Sequence, residues 1–286
     1  MYANLRFSTI TLIPFLAATL AASPVTLFST GNPNGLIATV SGPASGSLAE
    51  TETADDFILG QNALVSGATF TGLLPSGASL SAIKDVEIEL YRVFPLDSVN
   101  PPDGRVPTRV NSPSDNQFAA FDEATGGIGV TASILNPSFT AANSVINGIN
   151  PIPNQNTRGE GPVTGEEVLF SIVFNTPFVV GAADHDFFRP EVELSSGNFL
   201  WLSAPKPIMP PGTPFTGDLQ AWIRNTNLDP DWLRIGTDIV GGAPAPTYNM
   251  TFSLAGTAIP EPSSMLLLGT GLAAALALGR KKRRAS

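Results

Sequence analysis

Asp85-Val86-Glu87-Ile88-Glu89-Leu90-Tyr91-Arg92-Val93-Phe94 alternates acidic and aliphatic side chains. Val86, Ile88 and Leu90 face one way; Asp85, Glu87 and Glu89 face the other. A period of two is the mark of a strand with one face buried. The same alternation runs through Glu167–Asn175, where Val168, Phe170, Ile172 and Phe174 form the apolar set. It recurs in Tyr248–Leu254, and Val192 and Leu194 alternate with Glu191 and Glu193. Leu36–Val40, Asp56–Leu59, Ala68–Leu73, Ile128–Ser133 and Phe199–Ser203 read as further strands. One-sided strands suit antiparallel sheets with a wet outer face, and two such sheets bury their apolar sets against each other. The expected fold is all-β: an antiparallel, jelly-roll-like β-sandwich with long loops. A parallel α/β sheet is disfavoured, because regular helices between the strands are missing. Two helical exceptions are expected. Phe139, Ala142, Ile146 and Ile149 have helical spacing, and Asp229-Pro230 suits the start of a short helical turn carrying Trp232.

Composition agrees with a folded body. The chain has 286 residues, 43% hydrophobic and 14% charged, with 27 Gly and 26 Pro. That hydrophobic share supports a core, and the turn formers suit many short strands. Pro95–Asn116 and Asn147–Gly165 are rich in Pro, Gly, Asn and Ser and read as long loops. The net charge is −9, but residues 24–259 hold 9 Lys/Arg against 23 Asp/Glu, which is −14. Such an acidic body disfavours nucleic acid, whose phosphates need basic partners. There is no cysteine, which excludes disulfides, thiolate metal sites and thiol nucleophiles.

The ends are unlike the body. Residues 1–22 read as a signal peptide: Arg6, then the apolar run Ile10–Leu20, then small residues. Residues 24–257 form the expected sandwich domain. At the other end, Pro260-Glu261-Pro262 precedes an apolar segment, Met265–Gly279, and the basic run Arg280, Lys281, Lys282, Arg283, Arg284. Fifteen residues of helix span about 22 Å. That is short of a bilayer core of about 30 Å, with flanking residues able to extend it. Basic residues on one side only would place Arg280–Arg284 in the cytoplasm and the body outside it. The two prolines would hold the junction extended.

In this order, the Pro-Glu-Pro tripeptide, apolar helix and basic tail of residues 258–286 resemble the PEP-CTERM sorting signal of Gram-negative bacteria. The resemblance implies export through the Sec machinery and a transient stay in the inner membrane. It further implies recognition by an exosortase, removal of the transmembrane helix and release to the cell surface or an extracellular matrix, in association with biofilm and exopolysaccharide. Thr53-Ala54-Asp55-Asp56-Phe57, Val86–Arg92 and Phe199-Leu200-Trp201-Leu202-Ser203 resemble the bodies of other exported proteins with this tag. That likeness carries no activity.

No catalytic constellation is legible. His185 is the one histidine and lies in Asp184-His185-Asp186. Asp184 and Asp186 share a strand face and suit a Ca²⁺ ion, the sole cofactor considered; a solvated turn is the simpler reading. A Ser-His-Asp triad would need His185, but no G-x-S-x-G elbow accompanies it. Asp55-Asp56, Glu166-Glu167 and Asp229/Asp231 are local acid pairs of the kind a glycosidase uses, and equally of the kind that keeps a surface soluble. Trp201 sits in an apolar run and reads as core, whereas Trp222 and Trp232 have polar neighbours and are candidates for stacking on sugar rings. The expectation is a non-enzymatic exported surface or matrix protein, with a carbohydrate-binding module and an extracellular hydrolase as alternatives.

Overall fold

A computed structural model describes residues 23–260, apart from 45, 47, 97, 99–105, 107 and 150–155, and also residues 269–272. The first strands are β1 (Val25–Ser29), β2 (Ala38–Val40), β3 (Thr51–Ile58), β4 (Ala63–Pro75) and β5 (Ile83–Val93). Then come β6 (Pro113–Asp122), β7 (Ile128–Ala141), β8 (Ser144–Val145), β9 (Val163–Val180) and β10 (His185–Leu194). The last are β11 (Leu200–Ala204), β12 (Trp222–Asn225), β13 (Leu233–Arg234), β14 (Asn249–Met250) and β15 (Phe252–Ala258). Every stretch whose alternation predicts a strand lies on or overlaps one of these.

The strands form two sheets, one of nine and one of six. In the larger sheet β4 is the spine. Along one edge it pairs with β9; along the other it pairs with β15 and then β11. Its uncharged sequence fits a central place, since charged groups are rarely buried without partners. Gly72 lets Phe199 and β11 approach closely, because a Cβ there would lie 2.2 Å from the Phe199 ring. The smaller sheet runs β13-β12-β3-β10-β5-β6. All strand pairs are antiparallel except β2 with β8.

The sheets meet through aromatic side chains. Phe57 and Phe188 of the smaller sheet face Phe28, Phe70, Trp201 and Phe252 of the larger. Phe188 stacks on Phe252 at 4.9 Å, and Phe70 stacks on Phe170 at 4.7 Å. Each such buried ring contributes about 1.5–3 kcal/mol of transfer free energy. Trp201 is fully buried, as its apolar setting predicts, and its indole N–H donates to Thr251 O at 2.8 Å.

Three expectations are corrected. Phe139–Ile149 is not a helix: β7 continues to Ala141 against β9 and β8 follows, because register shifts around Asn136 and Phe139 carry the ladder past Pro137. Asp229-Pro230 lies in hydrogen-bonded turns after β12, with Asp229 N–H reaching Asn225 O at 3.0 Å, and no helix forms. The outer face of the smaller sheet is not simply wet. Tyr91, Phe187, Trp222 and Trp232 build a second apolar cluster there.

Candidate functional site

The charges of the body are distributed unevenly between the sheets. Strands of the nine-stranded sheet carry only Glu166 and Glu167, whereas the six-stranded sheet carries charges on every strand. On its outer face, alternation along β10 aligns Phe187, Arg189 and Glu191; along β5 it aligns Glu87, Glu89 and Tyr91. Register sets Arg189 opposite Glu89, and Glu191 opposite Glu87. On β3 and β12 it sets Glu52 opposite Arg224, and Ala54 opposite Trp222.

The result is a largely buried ionic cluster centred on Arg189, which is 1% exposed. Its guanidinium lies 3.2 Å from Glu89, 3.3 Å from Glu52 and 3.7 Å from both Glu50 and Glu87, and it contacts Glu191 directly. Arg224 contacts Glu52, lies 2.9 Å from Asp229, donates to Tyr91 Oη at 3.1 Å, and sits 4.3 Å over the Trp232 ring. Tyr91 donates to Glu89 at 2.6 Å. Beside it, Arg109 joins Asp231 at 2.6 Å and Asp115, and stacks over Phe94 at 4.3 Å.

One guanidinium cannot neutralise five carboxylates, and their protonation reflects this. Burial pushes Glu52 up, but Arg189 and Arg224 outweigh it and hold its carboxyl below the ordinary value. Glu191 is raised to about 7 by burial, against the pull of Arg189 and helped by Glu50, Glu87 and Glu52. Glu87 is also raised, by burial and then by Glu89. Arg189 loses some basicity to burial but gains more from Glu52 and Glu191, so it stays charged. A cleft of about 120 Å³ lined by Glu50, Glu52, Arg224, Asn225, Thr226 and Asp229 adjoins the cluster. Ligand pockets are typically about 300–1,000 Å³. Chemically the cluster is a clamp that ties β3, β5, β10, β12 and the turn before Trp232 together.

Asp55 and Asp56 act on opposite faces, as neighbours on a strand must. Asp55 Oδ2 accepts Met250 N–H at 2.7 Å on the inner side; burial, then the nearby Asp56 charge, keeps its carboxyl protonated well above the usual range. Asp56 meets His185 Nε2 at 2.6 Å and accepts Leu219 N–H, pinning the segment before β12 onto the sheet. His185 also adjoins the rings of Phe187 and Phe215, and no serine hydroxyl bonds to it among the described residues. Asp184 lies in the turn before β10 and accepts Gly181 N–H. Asp186 is buried on β10, 3.9 Å from Arg92, and burial raises it to about 6. Among the described residues no group of three or more His, Asp or Glu is placed to hold a metal.

Trp222 and Trp232 are 2% and 0% exposed. The stacking expectation is therefore corrected: their rings are covered by Ala54, Tyr91 and Phe187, and offer no open face to a sugar. The polar neighbours that suggested exposure, Arg224 and Asp231 among them, are themselves buried partners in the ionic clusters. Glu166 and Glu167 lie on β9, where Glu166 accepts Gly77 N–H at 3.1 Å. Sequence reasoning missed Arg189. Its only signal was a lone cation in β10 set against acids that alternate along β5 and β10.

At the other end of the chain, β15 stops at Ala258, and Ile259 N–H still donates to Asn62 O at 2.8 Å. Pro260 is exposed. Residues 258–284 match the PEP-CTERM protein-sorting motif. The chain carries a PEP-CTERM sorting motif. Glu261, Pro262 and Arg280–Arg284 of that motif lie outside the described residues, as do residues 1–22. Residues 269–272 are helical and exposed. No helix among the described residues is long and apolar enough to cross a membrane. No curated protein and no solved structure matches the chain. The motif implies an exported chain that an exosortase processes, by way of a membrane-anchored intermediate.

Proposed function

We propose that this is a non-enzymatic surface or matrix protein whose β-sandwich is delivered by its two ends. Residues 1–22 direct export, residues 265–279 halt the chain in the inner membrane, and Arg280–Arg284 fix its orientation. An exosortase then cuts at the Pro260-Glu261-Pro262 junction, and the body passes to the surface in a biofilm or exopolysaccharide setting. The match over residues 258–284 carries this reading.

The geometry of the sandwich supports it. Val25 at the start of β1 pairs with Gly256 near the end of β15. Both ends of the body therefore leave from the same end of one sheet, where a leader and a tail in one membrane would need them. The tag follows β15 within two residues, so the cut falls close to the folded body.

Replacing Glu261 and Pro262 with Ala tests this. Fractionation and intact mass of native cells should show wild type released without its C-terminal segment, and the variant uncut in the inner membrane. Equal release of both proteins refutes the role given to the junction.

A further inference from the structure

The edges of the two sheets differ sharply. A free edge presents unpaired backbone groups, and proteins usually blunt it with charge, brevity or a bulge. The edge strands β1, β8 and β13 have five, two and two residues. The edge strand β6 carries Asp115 and Asp122. β7 has 14 residues, none charged, and among the described residues it pairs with β9 alone. Residues 124–157 contain no Asp, Glu, Lys or Arg, and neither do residues 168–183 of β9 and the turn after it. Near Ala141 the edge is occupied, since Ala142 N–H donates to Gly35 O. Ile128–Leu135 is the open part, and Ile134 and Leu135 there are 42% and 53% exposed. On β9, Val173, opposite Gly129 at the other end of this stretch, is 60% exposed.

We infer that β7 is a docking edge for a second copy of this chain, strand against strand and antiparallel. Charge selects the occupant. With 9 basic and 23 acidic residues in the body, two copies repel wherever their charged faces meet. The β7–β9 pair is where identical surfaces approach without like charges opposed. An antiparallel strand beside its own image is self-complementary about a two-fold axis. The pairing consumes both β7 edges, so it closes at a dimer and does not propagate. It extends the nine-stranded sheet across two copies and covers Ile134 and Leu135. The inference goes beyond delivery and does not depend on the tag being cut.

The absence of cysteine makes the test direct. Single cysteines are placed in turn at residues 129–135 of the full chain in detergent, with Ser76→Cys on an exposed turn as control. In a two-fold strand pair only the residue on the axis meets itself. A residue two positions away lies about 13 Å from its copy, too far for a disulfide. Oxidation should give a linked dimer sharply peaked at one position, and native mass spectrometry of the wild type should read twice 29.8 kDa. Thr131→Lys with Ser133→Lys, both at exposed positions, should halve that mass while leaving the circular dichroism and thermal midpoint unchanged. A monomeric wild type, cross-linking equal at all positions including the control, or a lysine variant that stays dimeric each overturns the inference.

Discussion

Replacing Glu191 with Gln removes one charge from the crowd around Arg189 while keeping the shape of the side chain. Two forces oppose each other at this residue. Its direct contact with Arg189 favours the carboxylate, whereas burial and the acids Glu50, Glu87 and Glu52 favour the acid form. The second set prevails, and Glu191 titrates at about 7. An unfolded glutamate titrates at about 4.3. The folded pKa exceeds the unfolded one, so the native state holds the extra proton between about pH 4 and 7. Stability from this group is therefore fully present below that window and is lost as pH rises through it. At about 1.4 kcal/mol per pKa unit the limit is about 4 kcal/mol, and screening at this partly accessible group reduces it to about 2 kcal/mol. Urea unfolding at pH 5 and pH 8 gives the comparison. At pH 5, about 0.7 unit into the window, the variant should exceed wild type by only about 0.5 kcal/mol, since Gln resembles the protonated acid. At pH 8 it should be more stable by about 2 kcal/mol. A variant less stable than wild type at pH 8 would refute the reasoning and show that ionised Glu191 is a net stabilising partner of Arg189.

Arg189→Met should destabilise the fold by about 3–5 kcal/mol at pH 7, because it leaves buried acids without their shared counter-charge; denaturant midpoints measure this, and a loss under about 1 kcal/mol refutes it. Trp232→Ala should cost about 3–5 kcal/mol through the cavity it leaves beneath Arg224 and Tyr91. It should have no separate effect on glycan retention, and a folded, fully stable variant that loses glycan binding would restore the stacking role.

The period of two in residues 85–94, 167–175 and 248–254 was enough to place strands, because alternation is local and one buried face leaves a direct trace in the sequence. The helix expected over residues 139–149 failed for a related reason. Sparse apolar positions fit a period of 3.6 by chance, while pairing with β9 over Gly165–Val163 decides the actual conformation. Polar neighbours made Trp222 and Trp232 look exposed, yet a charge paired in three dimensions is as compatible with burial as an aliphatic one.

By itself the sequence determined the all-β class, the buried place of Trp201 and the sorting tag at residues 258–284, since each is written in contiguous residues and their order. Only the tertiary structure decided that Glu52, Glu89, Glu191 and Arg224 gather at Arg189, that Asp56 holds His185, and that the charges carried on strands fall almost wholly in one sheet. These are matters of register between strands that lie up to about 170 residues apart in the chain. Local patterning carries no record of which distant strand becomes a neighbour.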